Sequence, residues 1–244
     1  MRAEPGVQRR LLELAEVDAE LDRVDHRRRT LPELAEIESL EAEFRSRRDE
    51  LVTVQTTLSD LDSDAKKQEK EIDGVRARED RDRRLLDAGL PGKQQAEIEH
   101  ELETLARRQG LLEDDLLELM ERREAVAADV AHSEAQASAV QEKLAEANRR
   151  RTDALADLDD ARARRDAERA ELRGVVDEPL LTLYERVRGQ KGIGAALLRH
   201  RRCGGCHLEL DRSVMTAIKD ASADEVLRCE ECGAILVRTA ESGL

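Results

Sequence analysis

The sequence predicts a mainly α fold: a long antiparallel coiled-coil hairpin, followed by a small C-terminal domain of short β-strands organised around cysteines. Three observations predict it. Charged residues make up 40% of the 244 residues and aromatics only 1%. Ordinary globular chains carry about 25% charge and build cores with aromatics, whereas mixed-sign chains rich in Ala, Leu, Glu and Arg form long helices. Apolar residues recur every 3.5 residues over two long stretches, and all four cysteines fall within residues 203–232. The composition argues against a β-sandwich, a barrel, a large α/β enzyme core and an aromatic-lined pocket.

The first element is a helix over about residues 5–29, with a seam at Val7, Leu14, Val17, Leu21 and Val24. It breaks at Thr30-Leu31-Pro32, because proline suits the first helical turn and not the interior. This helix is expected to pack on the late part of the return arm, near residues 148–172. The outgoing arm carries the walk Leu40, Phe44, Arg47, Leu51, Val54, Leu58, Leu61, Ala65, Gln68, Ile72, Val75, Glu79, Asp82, Leu86, of which ten of 14 sites are apolar. Two glycines and a proline within Gly89-Leu-Pro91-Gly92 then mark a reversal near 87–93. The return arm runs from Ile98 through Leu102, Leu105, Leu112, Leu116, Leu119, Val126, Val130, Ala137, Val140, Leu144, Ala147, Ala154 and Leu158 to Ala161. Fifteen of its 19 seam sites are apolar; Gln109, Arg123, Ser133 and Arg151 are the exceptions. A sustained 3.5-residue period implies a supercoiled partner, which a second seam in the same chain supplies. Each arm of roughly 55 residues would span about 80 Å. The expected organisation is a helical hairpin over 1–175, turning near 87–93 and broken near 30–32, then a linker helix and cysteine domain over 176–244.

The cysteines carry the chemistry. Cys203-Gly-Gly-Cys206 and Cys229-Glu-Glu-Cys232 are two Cys-x-x-Cys pairs separated by 22 residues. Such spacing is the signature of a zinc ribbon, because a two-residue spacer lets both thiolates of one turn reach the same tetrahedral ion. With four Cys ligands no position stays open for water, so one structural Zn²⁺ is expected, supplying much of the small domain's folding free energy. Spacing alone leaves a four-Cys iron site open. Cys203-Gly-Gly-Cys206-His207 formally fits a c-type haem attachment site, which would leave the second pair unexplained. Strand-like runs follow each knuckle at His207–Leu210 and Ala234–Arg238, with a helical turn expected at Val214–Lys219.

Net charge is uneven. The chain totals −14, but residues 180–244 hold ten basic and nine acidic residues, so the hairpin carries the deficit. An acidic surface repels nucleic acid, which leaves the basic stretch Arg186, Arg188, Lys191, Arg199, Arg201 and Arg202 as the candidate phosphate or nucleic-acid contact. No catalytic nucleophile–base set is recognisable, so no enzyme activity is expected. No apolar run nears the roughly 20 residues of a membrane span. The first residues lack the apolar stretch of a signal peptide, which predicts a cytoplasmic protein with reduced thiols.

Three stretches resemble a known group: Glu97–Arg108 with Leu112–Glu121, Leu180–Arg188, and Cys203-Gly-Gly-Cys206-His207 with Cys229-Glu-Glu-Cys232-Gly233. The chain is similar to the bacterial C4-type zinc ribbon proteins with an N-terminal coiled-coil hairpin. The resemblance implies Cys203, Cys206, Cys229 and Cys232 as metal ligands and a role as an adaptor or nucleic-acid-binding protein. The second knuckle departs from the common Cys-Pro-x-Cys, placing two acids beside the metal. The expected function is a zinc-binding adaptor that docks protein partners through hairpin and ribbon, as a monomer or weak dimer. Binding of DNA or RNA through residues 186–202 and the ribbon is the alternative.

Overall fold

The computed structural model describes residues 1–244. Five α-helices and four short strands follow in order: α1 (Pro5–Arg29), α2 (Pro32–Asp87), α3 (Gly92–Gly174), α4 (Glu178–Lys191), β1 (Ala195–Arg199), β2 (Arg202–Cys203), α5 (Arg212–Asp220), β3 (Leu227–Arg228) and β4 (Ile235–Val237). The fold is mainly α, with a long helical hairpin ahead of a small cysteine-bearing strand region. The chain packs as two compact units. One is Ala35–Arg149; the other joins Met1–Leu34 to Arg150–Leu244.

In the unit 35–149, α2 and α3 reverse through Ala88–Pro91, where Gly89 adopts a φ of 79°. Every α2 seam site predicted from periodicity is buried or half-buried, and so is every α3 site except Arg123. Leu61, Ile72, Val75, Leu105, Ala137, Val140 and Ala147 are buried, and so is the polar seam residue Glu79. Ion pairs join the arms at the seam's edge: Arg76–Glu113 (2.7 Å), Arg78–Glu101 (3.4 Å) and Arg123–Asp62. Arg123 leans out of the seam because its guanidinium can reach water and Asp62 together.

In the other unit, α1 lies along the end of α3. Arg28 pairs with Asp159 (2.7 Å), Arg165 with Glu20 (2.6 Å) and Arg162 with Asp25. The sheet order is β2-β1-β4-β3, with β1 parallel to β4 and the outer pairs antiparallel. The sheet packs on both sides. Ile235 and Val237 meet Leu11, Leu14, Leu180 and Tyr184 from α1 and α4. Leu198, Leu236, Met215 and Ile218 close the side toward α5 and the cysteines. The small domain thus has a core of its own on one side of the sheet, and the first and fourth helices supply the core on the other.

Two strand expectations change. Ala234–Arg238 contains β4, but His207–Leu210 makes only a single bridge, Arg202 to Glu209. The principal central strand is β1, inside the stretch 186–202 that the sequence marks only by its basic residues. Its Ala195-Ala-Leu-Leu run is short and buried on both faces, so it shows no alternation. The amino terminus also joins the small domain. The Ala3 N–H donates to the Asp224 carbonyl (2.7 Å) and the Val226 N–H to the Met1 carbonyl (3.1 Å). Arg238 holds that edge by donating to the carbonyls of Ile218, Ala221, Ser222, Ala223 and Glu225 at 2.6–3.3 Å.

Candidate metal centre

The two knuckles are built alike. Cys203 ends β2 and Cys229 follows β3 directly. In each, the residue after the second cysteine turns back and donates its N–H to the carbonyl of the first: His207 to Cys203 (2.8 Å) and Gly233 to Cys229 (2.9 Å). The first cysteine's own N–H donates five residues on, Cys203 to Leu208 (3.0 Å) and Cys229 to Ala234 (2.9 Å). Gly204 is required by space: a Cβ there would lie 2.8 Å from the Leu197 carbonyl oxygen. The sheet brings the knuckles together because β1 pairs with both β2 and β4.

The result is a cluster of four sulfurs, all within 4.8 Å of one another. Cys203 Sγ lies 3.7 Å from Cys232 Sγ, and Cys206 Sγ lies 3.8 Å from Cys229 Sγ. A regular tetrahedron of sulfurs about 2.3 Å from a central zinc has edges of about 3.8 Å, so the donor set fits one tetrahedral ion. The spacing far exceeds the roughly 2.05 Å of a disulfide. Cys203 and Cys229 are buried and the other two half-buried, which leaves little room for exchange with solvent.

The electrostatics point the same way. Burial pushes the Cys203 thiol up to about 12, against the N–H groups of Cys206 and Gly205. Burial also raises Cys232. At Cys229 burial opposes ionisation, but N–H groups from Cys232 and Glu231 outweigh it and its pKa falls. A bound dication supplies the positive charge that lets all four ionise together. The ligands Cys203, Cys206, Cys229 and Cys232 would hold it as a closed structural centre, tying β2 to the entrance of β4.

Of the six basic residues, Arg199 and Arg202 sit opposite one another across β1 and β2, and the others are dispersed. Arg188 is committed to α1, at 3.1 Å from Asp18 and 3.2 Å from Asp22. Arg199 pairs with Glu241 (3.3 Å) and Arg201 with Glu209 (3.7 Å). Arg186, Lys191 and Arg202 are exposed. Sequence reasoning did not single out Asp18, which is 2% exposed. It accepts from Arg169 Nε (2.6 Å) and the Tyr184 hydroxyl (2.7 Å). Glu185 extends the network to Arg169 (2.7 Å) and Arg173 (2.8 Å). No helix is long and apolar enough to cross a membrane.

Comparison with known proteins places these features. The Mycobacterium tuberculosis protein Rv2229c is 43% identical over 239 residues, covering 98% of both chains. A solved Mycobacterium smegmatis structure is 46% identical, with a TM-score of 0.89 over 98% of this chain and all of that one. The structure of CT398 from Chlamydia trachomatis shares the fold at 17% identity, with a TM-score of 0.66 over 95% of this chain and 97% of that one. Residues 202–236 match the C4-type zinc ribbon domain, and residues 14–192 match the CT398-like coiled coil hairpin domain. The chain thus belongs to the CT398-like coiled-coil hairpin family and carries a C4-type zinc ribbon with four cysteines positioned for one metal ion.

Proposed function

We propose that this protein is a non-enzymatic, zinc-binding adaptor that docks protein partners through its hairpin and its ribbon. The observation that carries the reading lies on α3. The hairpin seam is already filled, yet Leu111, Leu117 and Met120 stand 68%, 60% and 49% exposed on an otherwise charged helix. Leu117 and Met120 are three residues apart and share one face. Apolar side chains left outside a satisfied seam are surface that a partner protein can bury. Four thiolate ligands leave the metal no open position for chemistry, which supports a structural rather than catalytic ion. Reduced thiolates also suit a cytoplasmic setting, and a hairpin that satisfies its own seam suits a monomer or weak dimer. Among the basic residues of 186–202, Arg188 is committed to Asp18 and Asp22 of α1, so the stretch offers no continuous basic row, which favours a protein partner over a nucleic acid.

The test is site-specific photo-crosslinking in the source cells, with the crosslinker at Glu121, one turn beyond Leu117 on the full-length chain. A discrete protein adduct is expected, and the double substitution Leu117→Glu with Met120→Glu should abolish it while circular dichroism stays unchanged. An adduct indifferent to those substitutions, or none at all, defeats the reading.

A further inference from the structure

Three residues other than glycine hold a left-handed backbone: His200 (φ 45°), Arg201 (φ 65°) and His207 (φ 62°). His200 and Arg201 form the two-residue connection between β1 and β2, whose flanking pair is Arg199 with Arg202. Such connections favour Asn-Gly, since both central residues need a positive φ. His207 follows the second cysteine of its knuckle, where the other knuckle has Gly233 with a φ of 74°. The chain itself thus shows glycine filling the same position. A side chain retained where glycine is easier is strain, and strain of this kind collects at functional sites.

Two of the three side chains share a destination. His200 and His207 line a cavity of about 530 Å³ together with Arg199 and Arg202, over Leu197, Gly204 and the metal ligand Cys203. No carboxylate lines it. Arg202 and both imidazoles are exposed and make no side-chain hydrogen bond or ion pair within the chain. Arg199 shares only the Glu241 pair, in which both side chains are at least 60% exposed; such a pair competes weakly. Guanidinium groups present forked donors that match phosphate oxygens, and imidazoles add further N–H donors.

We propose that this cavity binds a phosphate dianion, free or as the monoester of a small molecule, through Arg199, Arg202, His200 and His207. The charges converge on a concavity of small-ligand size instead of forming the row that a nucleic-acid backbone requires. Arg186, Arg188 and Lys191 lie outside it. The site is independent of the hairpin's partner and requires only a folded ribbon.

The test uses the full-length, zinc-loaded chain and calorimetric titration with inorganic phosphate, glucose 6-phosphate, glucose, and an oligonucleotide lacking terminal phosphates. Saturable 1:1 binding of a phosphate is expected, with glucose silent; the tighter of the two phosphates names the source. Arg202→Ala should weaken binding by about tenfold or more. His207→Gly should keep or raise the melting temperature, since glycine adopts this left-handed backbone without strain, while weakening binding by about fivefold. Arg201→Gly relieves similar strain at a side chain outside the cavity and should leave affinity unchanged. No phosphate binding, binding by the oligonucleotide alone, or affinity indifferent to both Arg202→Ala and His207→Gly would overturn the assignment.

Discussion

Asp18 is the residue on which the region around the ribbon turns. It is nearly inaccessible, yet it faces two arginines and a phenol from two other helices, α3 and α4. Removing it leaves Arg169 and Arg188 without their shared carboxylate at a largely buried site. Asp18→Ala should therefore cost about 3–5 kcal/mol in urea unfolding. Tyr184 reports the same network and is the only tyrosine in the chain. Burial, with Asp18 adding to it, holds its phenol far above the usual range. The neutral form is thus favoured in the folded state. That contribution is complete below the unfolded pKa of about 10 and is lost as pH climbs toward the folded value. Phenolate absorbance should accordingly rise together with loss of helicity, not ahead of it near pH 10. None of this was legible beforehand. In a helix where Asp18, Asp22 and Asp25 recur among arginines, nothing local distinguishes the buried acid from the wet ones. Arg188 misled for the same reason: read as a free cation, it is a structural partner of α1.

At the scale of elements, legibility follows periodicity. The α2 and α3 seams span many turns, so a few polar interruptions do not hide a 3.5-residue repeat. Each site then lands where the pattern puts it, Arg123 excepted. The sheet is the opposite case. Its strands have two to five residues, too few for a period, and they are specified by pairing partners far away in sequence. The cysteine spacing was legible because four side chains must meet one point, a constraint that local sequence does record. Arg238 closes an apparent strand in the sequence, with nothing local to mark its role, yet it gathers five carbonyls from Ile218 in α5 through Glu225 ahead of β3. Arg238→Ala strands those acceptors and should destabilise the fold by at least about 2 kcal/mol in thermal unfolding. Arg238→Lys should recover only part, since an ammonium offers three donors.

For the whole molecule, the two compact units are expected to respond differently to loss of the metal, since all four ligands lie in one of them. The ribbon strands share a core with α1 and α4, so loss of the metal reaches residues that hold no ligand. Hydrogen exchange after chelation, or in Cys203→Ser, should show lost protection in β1, β4 and α1. Amides of 35–149 should stay protected, and far-ultraviolet helicity should change little. Protection of α1 surviving chelation would show that the helices, not the ion, hold that core.

The pairing of Met1–Ala3 with Asp224–Val226, and of Leu11 and Leu14 with Ile235 and Val237, also has a temporal side. These partners lie more than 200 residues apart in translation order, the helix before the sheet. At about 5–20 residues per second, α1 waits on the order of ten to forty seconds on the ribosome before its sheet exists. During that interval Leu11, Leu14 and the acid at 18 lack their native cover. The hairpin, whose arms follow one another in translation, is complete long before. The amino-terminal helix is therefore the helix whose apolar face waits longest for its native cover.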